Sequence, residues 1–373
     1  MAGIYIHIPF CKQACHYCNF HFSTSLRYKG DMIEAIKKEI KLQSNYLNNE
    51  TVETVYFGGG TPSLLEIDDI SSIFEALHQY HDISPTAEVT LEANPDDLTI
   101  SKINEFKSTP INRFSIGIQS FHEADLKYMN RAHNATEALA CIQNSQNAGF
   151  ENITIDLIYG TPTMNNSQWE ANIQQVFDLN IPHISCYALT VEPNTALDYF
   201  IKKGKSIAVN EEQSAQQFEI LVREITKAGY LHYEISNFAK PGFFAQHNSN
   251  YWKGQLYLGL GPSAHSFNKK TRQWNVANNM KYIKGVMRNE LSFEVETLSP
   301  TDQYNEYVMT GLRTIWGVDL MKIKLFGNIY EAHFVDVVTP FIKEELIIRE
   351  GNQFVLTQKA KFLADGIASE LFI

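Results

Sequence analysis

Short apolar runs separated by segments of helical spacing fill the first half of the chain. Ile4–Ile8, Thr54–Phe57, Ala87–Leu91, Arg113–Ile118, Ile153–Ile158 and His183–Ala188 are rich in β-branched and aromatic residues and predict six strands. Between them, Met32, Ile36 and Ile40 fall on one helical face, as do Ile70, Phe74, Leu77 and Tyr80. Asp31 and Glu34 have the spacing of a capping box opening the first of these helices. Another helix is predicted from near Asn134 to Gly149, with polar residues before it and glycine after it. Strands alternating with helices argue for an α/β protein with a parallel sheet. Six repeats fall short of the eight that close a complete barrel, so a partial TIM-like barrel is expected.

Beyond residue 190 the pattern loosens. Residues 191 to 290 read as mixed helix and loop, with a long helix over Asn210–Ala228 and a glycine-rich return over Leu258–Ser266. From Ser299 onward, helical patterns at Asp302–Thr314 and Ile329–Glu344 precede strands at Leu346–Arg349 and Phe354–Thr357, with a last helix from about Gln358. Helices followed by a hairpin predict a small winged-helix-like α/β module over 299–373, attached to a core over 1–298. One compact core rarely grows past about 300 residues, which fits that division. Residues 300–373 carry 7 Lys+Arg against 10 Asp+Glu. A winged helix that reads DNA is basic, so the module is expected to cap or dock instead.

Charge changes the picture of partners. Over 373 residues the formal net charge is −11, which repels a phosphate backbone and argues against nucleic acid. No apolar stretch approaches the roughly 20 residues that cross a bilayer. The opening MAGIYIHIPFC lacks a basic segment followed by an apolar one, so a cytoplasmic protein is expected.

Five cysteines are present, and three of them crowd into Cys11, Cys15 and Cys18. Cys141 and Cys186 sit in apolar surroundings and read as small buried hydrophobes. The C-x3-C-x2-C cluster is different. Three thiolates on one short loop can hold three corners of a 4Fe–4S cubane and leave the fourth iron open to a small chelator. A structural zinc site completed by His7, His16 or His21 is the alternative.

Ligands of parallel α/β sheets bind beyond the carboxyl ends of the strands. The cysteine loop follows the first strand, and Gly58-Gly59-Gly60-Thr61 follows the second. Glu92 ends the third strand, Gln119 the fourth, Asp156 lies late in the fifth and Ala188 ends the sixth. Arg131 follows Gln119 and can pair with a carboxylate in bidentate fashion. Taken singly, the glycines suit a turn, the acids suit helix caps and Arg131 suits a surface ion pair. Together with the thiols, in strand order and at one end of the sheet, they describe a pocket.

The stretch from Tyr5 to Phe20, YIHIPFCKQACHYCNF, resembles the cluster loop of the radical S-adenosylmethionine superfamily. Its Tyr-x-His-Ile-Pro-Phe opening narrows the resemblance to the HemN-like branch, which includes oxygen-independent coproporphyrinogen III dehydrogenases and the HemW family of haem chaperones. The resemblance covers roughly residues 4–290 and weakens through the carboxyl-terminal module. It implies a partial (βα)6 barrel and a 4Fe–4S cluster on Cys11, Cys15 and Cys18. It also implies S-adenosylmethionine contacts from Tyr5, Tyr17, Gly59, Gly60, Thr61, Glu92, Gln119, Arg131, Asp156 and Ala188.

Two departures separate the chain from the dehydrogenases. Phe20 stands where they carry a fourth cysteine, and the first strand begins at residue 4 with no extension ahead of it. In addition, His247-Asn248-Ser249-Asn250-Tyr251-Trp252 matches the H-N-x-x-Y-W motif associated with haem in the HemW family. A neutral imidazole can ligate haem iron, and Tyr251 and Trp252 can stack on a porphyrin. A core histidine with two packed aromatics is the plainer reading of the same six residues, and His265 is a second haem candidate. The expected function is a haem chaperone that binds the cluster, S-adenosylmethionine and haem. It would deliver haem to haem-requiring acceptor proteins, membrane-associated ones included. The alternatives are a dehydrogenase that decarboxylates propionates by radical chemistry and a structural metal-binding scaffold.

Overall fold

The computed structural model describes residues 2–373. Six β–α units come first: β1 (Ala2–Ile8), α1 (Lys29–Leu42), β2 (Val52–Gly59), α2 (Ile67–Tyr80), β3 (Ile83–Ala93), α3 (Ile100–Phe106), β4 (Arg113–Gln119), α4 (Glu123–Tyr128), α5 (Ala135–Asn147), β5 (Ile153–Tyr159), α6 (Asn166–Asp178) and β6 (His183–Ala188). Neighbouring strands of this series pair in parallel, in sequence order from β1 to β6. Most of their residues are buried, the outer face under helices and the inner face among side chains of the strands themselves; only Tyr5 of β1 and Asp156 of β5 break otherwise unbroken burial in those two strands. The six-strand series does not close on itself, since β1 and β6 both pair with later strands.

Those later strands are the main departure from expectation. The segment read as helix and loop contains α7 (Ala196–Lys202), α8 (Glu211–Lys227), β7 (Leu231–Glu234), β8 (Asn237–Ala239), α9 (Gln246–Trp252), β9 (Leu256–Leu260), β10 (His265–Phe267), β11 (Thr271–Asn275), α10 (Asn279–Met287) and β12 (Phe293–Thr297). They lengthen the sheet at both edges to twelve strands, β9 lying parallel to β1 and β8 antiparallel to β6. Strands of three to five residues carry too little alternation to announce themselves; the free edges of the parallel sheet supply their partners. The first helix also differs. It starts at Lys29 after Tyr28, without a side-chain cap, so Asp31 lies inside its first turn and Glu34 pairs with Lys37 instead of closing a capping box. Lys29, the first residue of the helix, bridges to Asp69 of α2 at 2.9 Å. By contrast, Asn134 and Glu137 form a reciprocal capping box at α5.

A single buried acid ties the amino-terminal helix to the late strands. Glu39 of α1 accepts hydrogen bonds from the Tyr282 hydroxyl at 2.5 Å, the Gly261 amide at 2.8 Å and the Asn275 side chain at 2.8 Å. Burial pushes its carboxyl up to about pH 7, and these three donors only partly offset that.

The remaining chain forms α11 (Pro300–Leu312), β13 (Val318–Asp319), α12 (Leu320–Phe326), α13 (Asn328–Lys343), β14 (Ile347–Glu350), β15 (Gln353–Leu356) and α14 (Ala364–Glu370). It has its own core, in which Tyr304, Val308, Phe334, Val338 and Phe354 are buried, and its own three-stranded sheet. Arg313 reaches back to the buried Glu234 of β7 at 3.2 Å, and Lys361 donates to the His232 carbonyl at 2.9 Å. The helix α12 was not legible in the sequence.

Candidate functional site

The loop between β1 and α1 is held at three places. Its base closes through Cys11 N–H to the Ser23 carbonyl at 3.0 Å and Ser23 N–H to the Pro9 carbonyl at 2.9 Å. Its near side rests on the end of β2, where Gly60 N–H donates to Ile8 at 2.9 Å and Thr61 N–H to Phe10 at 2.7 Å. A Cβ on Gly60 would stand 2.6 Å from the Phe10 carbonyl oxygen, so this position needs glycine for backbone approach alone. Its far side docks on the turn after α4: His16 N–H donates to Met129 at 3.0 Å and the Asn130 side chain to Ala14 at 2.8 Å.

That docking delivers Arg131. One guanidinium nitrogen donates to Cys15 Sγ at 3.3 Å, and the other to Asn94 Oδ1 at 2.8 Å and the Gly117 carbonyl at 2.7 Å. A Cβ on Gly117 would meet both Arg131 and the Gln119 amide at 3.0 Å, so the glycine inside β4 makes room for them. Gln119 itself takes φ of 65°, a left-handed conformation uncommon for a side-chain-bearing residue and frequent at functional sites. Glu92 accepts from the Tyr56 hydroxyl at 2.8 Å and from Gly59 N–H at 3.2 Å, which joins the glycine loop to β3.

Cys11, Cys15, Tyr17, Cys18, Gly59, Gly60, Thr61, Glu92, Gln119, Arg131, Asp156 and Ala188 line one cavity of about 650 Å³ beyond the carboxyl ends of β1–β6. Burial raises the carboxyls of Glu92 and Asp156, the latter to about 7 with the Glu92 charge adding to it. Burial likewise pushes the Cys11 thiol up to about 11. Burial works against the charge on Arg131 too, but Tyr17 and Cys15 beside it more than compensate, and its guanidinium stays charged. Among the described residues, no three His, Cys, Asp or Glu side chains gather about one metal-ion position. His7 commits both ring nitrogens, to the Tyr5 hydroxyl and the His21 carbonyl, whereas His16 and His21 each commit one, to the Tyr128 carbonyl and to Asn279. Three partly exposed thiols facing a shared cavity beside a fixed cation suit a larger inorganic group.

Tyr5 is not brought to this cavity. Its ring lies against Tyr56 and His247, at 6.0 and 6.4 Å, and it lines a neighbouring cavity of about 1270 Å³. Tyr5 nevertheless stands next to the Glu92 wall: a Cβ on Gly58 would meet its ring at 2.9 Å and the Glu92 carboxylate at 3.1 Å. Tyr251 and Trp252 also line that second cavity, whereas His247 and Asn248 do not. His247 is 2 % exposed, and its ring nitrogens meet the Thr54 and Tyr251 hydroxyls, each at 2.8 Å. An imidazole with both nitrogens occupied has none to offer a metal, so the expected haem ligation by His247 does not fit this arrangement. The two cavities meet at Asn19 and Phe20, which line both. Sequence reasoning missed Asn94, Gly117 and the carboxyl-terminal Arg313 and Lys361 at the first cavity, and Tyr56 behind Glu92. Of these, a glycine inside β4 was the one visible signal.

A model of the radical SAM superfamily matches residues 5–176, and one of the HemN C-terminal domain matches residues 298–363. The heme chaperone HemW of Lactococcus lactis is 30% identical over 370 residues, covering 99% of this chain and 97% of that protein. The chain belongs to the HemW family. The heme chaperone HemW of Bacillus subtilis is likewise 30% identical, over 98% of both chains. The solved structure of coproporphyrinogen III oxidase HemN from Escherichia coli superposes with a TM-score of 0.85 over 100% of this chain and 90% of that one, at 22% identity. At that identity the likeness establishes the fold, and the α/β architecture with a small carboxyl-terminal domain is common to both. As a radical SAM protein of the HemW family, the chain carries its cysteine loop inside the matched segment. No helix among the described residues is long and apolar enough to cross a membrane.

Proposed function

We propose that this chain is a cytoplasmic haem chaperone that holds a 4Fe–4S cluster, S-adenosylmethionine and haem and passes haem to haem-requiring proteins. The full-length similarity to HemW proteins carries this reading. Cys11, Cys15 and Cys18 are the cluster's ligands. Gly59, Gly60, Thr61, Glu92, Gln119, Asp156 and Ala188 form the S-adenosylmethionine wall, with Tyr17 and Arg131 bridging wall and cluster loop. When bound, a cluster with three thiolate ligands supplies an open iron for a chelating amino acid and a reservoir for one electron. The protein's own part is positional. Arg131 presents a fixed positive charge next to Cys15, and Glu92 keeps the glycine loop in register. Buried acids that lean toward their neutral forms reserve hydrogen-bonding capacity on the cavity wall.

Haem-loaded, anaerobically reconstituted protein should restore activity to an apo-haem enzyme, including a membrane-bound one, while forming no protoporphyrinogen IX from coproporphyrinogen III. Product formation from coproporphyrinogen III would assign the chain to the dehydrogenases instead. Failure to transfer haem would remove the chaperone reading.

A further inference from the structure

With His247 engaged, the second cavity must be asked what it can hold. Two separate elements bring large apolar side chains to it. Phe20, on the cysteine loop, is 68 % exposed, and Leu325, on α12, is 85 % exposed, yet both line the same space. Large apolar side chains left open to water around one cavity are the mark of a surface that an apolar ligand covers. Aromatic rings of Tyr257 and Phe267 continue that lining, and Trp252 adds an indole N–H that is buried without a partner. The same cavity carries Lys253, Lys269 and Lys322, with Arg272 already paired to Glu306 at 2.8 Å, so three lysines are left to meet a ligand that is anionic at an edge.

The histidines decide where a metal would sit. His7 gives one ring nitrogen to the His21 carbonyl and the other to the Tyr5 hydroxyl, while His21 gives one to Asn279 and is half-buried with its ring 6.2 Å from that of His7. His265, at the start of β10, is exposed, stacks on Trp274 at 5.9 Å and has no hydrogen-bond partner at either ring nitrogen among the described residues. Its neighbours hold it in place from behind: a Cβ on Gly259 would lie 2.0 Å from the His265 carbonyl oxygen, so the backbone there is packed against β9.

We infer that haem sits in this second cavity with His265 as its iron ligand, its propionates toward the lysines, and its apolar surface against Phe20 and Leu325. Given the chaperone reading on which this rests, His247 is a positioning residue. It sets Tyr251 through the 2.8 Å hydrogen bond, and so sets one wall of the haem cavity. Haem placed here lies across Asn19 and Phe20 from the cluster cavity, so cargo and cluster share the cysteine loop.

Ferric haem titrated into reconstituted protein tests the assignment by Soret absorbance and electron paramagnetic resonance. The unaltered chain is expected to bind saturably with a histidine-ligated spectrum. His265→Ala, an exposed substitution, is expected to bind at least tenfold more weakly with a changed iron spin state, and added imidazole should restore the original spectrum. His265→Ala protein with unchanged affinity and spectrum would overturn the ligand assignment while leaving the chaperone reading intact. Absence of haem binding by the unaltered chain would remove both.

Discussion

Arg131 donates to the sulfur of Cys15 at 3.3 Å while its other nitrogen is pinned by Asn94 and Gly117. The same side chain therefore reads the third and fourth strands and touches the cysteine loop. Charge-assisted hydrogen bonds contribute about 1.5–3 kcal/mol, so Arg131→Lys should weaken S-adenosylmethionine binding by about ten- to a hundredfold. Iron and sulfide content should stay near four each per chain, as expected for a 4Fe–4S centre. Equilibrium binding to the reconstituted variant checks this; an affinity equal to that of the unaltered chain would show that Arg131 only braces the loop.

Gly60 carries the second prediction. Adding a methyl group there forces it to within 2.6 Å of Phe10 and 2.8 Å of Ile8 backbone oxygens. Gly60→Ala should cost about 1–3 kcal/mol of stability and, more tellingly, lower iron incorporation, because the base of the cysteine loop moves. Iron analysis after identical reconstitution decides. Full iron loading would place the glycine's importance at the ligand rather than at the loop.

How much of this was legible in the residues follows from burial. Strands β1–β6 were readable because both faces are covered, so their apolar runs are nearly unbroken. The pocket was readable because parallel strands all end on one side, which turns strand order into spatial neighbourhood. The short strands β7–β12 were not, since their partners are edges that a linear pattern does not reveal. The H-N-x-x-Y-W motif shows the limit most clearly. Its residue types suit haem, yet only the fold reveals that Thr54 and Tyr251 already claim both nitrogens of His247. Asn94 was overlooked for the opposite reason: its role lies in what it accepts from Arg131, a residue 37 positions away.

Glu39 sets a pH dependence of stability. Its folded carboxyl titrates near 7 against an ordinary 4.5. Between those values the folded chain holds a proton that the unfolded chain has released, so stability falls as pH rises through this window. The contribution is fully present below 4.5 and lost above 7, and amounts to about 3 kcal/mol at most. Denaturant unfolding at intervals from pH 4.5 to 8 should show the fall, and Glu39→Gln should lessen it, leaving the part due to the buried Glu92 and Asp156. Equal slopes in both proteins would refute the assignment.

Arg313 joins the carboxyl-terminal domain to the sheet through Glu234, which is 1 % exposed. Arg313→Ala leaves that carboxylate with only the Ser236 amide and the Asn237 side chain as donors. A loss of about 2 kcal/mol is expected from the unpaired buried charge. Because Arg313 and Lys361 line the cluster cavity, faster oxidative bleaching of the reconstituted protein should accompany it. Bleaching at the unaltered rate would mean that this domain does not shield the cavity.

The most direct test concerns the open corner of the cluster. Anaerobically reconstituted protein, reduced with dithionite and frozen with and without S-adenosylmethionine, is compared by electron paramagnetic resonance. The account predicts a reduced 4Fe–4S signal whose g values shift on addition of S-adenosylmethionine, and loss of the signal when Cys15 becomes alanine. A spectrum indifferent to S-adenosylmethionine, or one that survives Cys15→Ala unchanged, would contradict it.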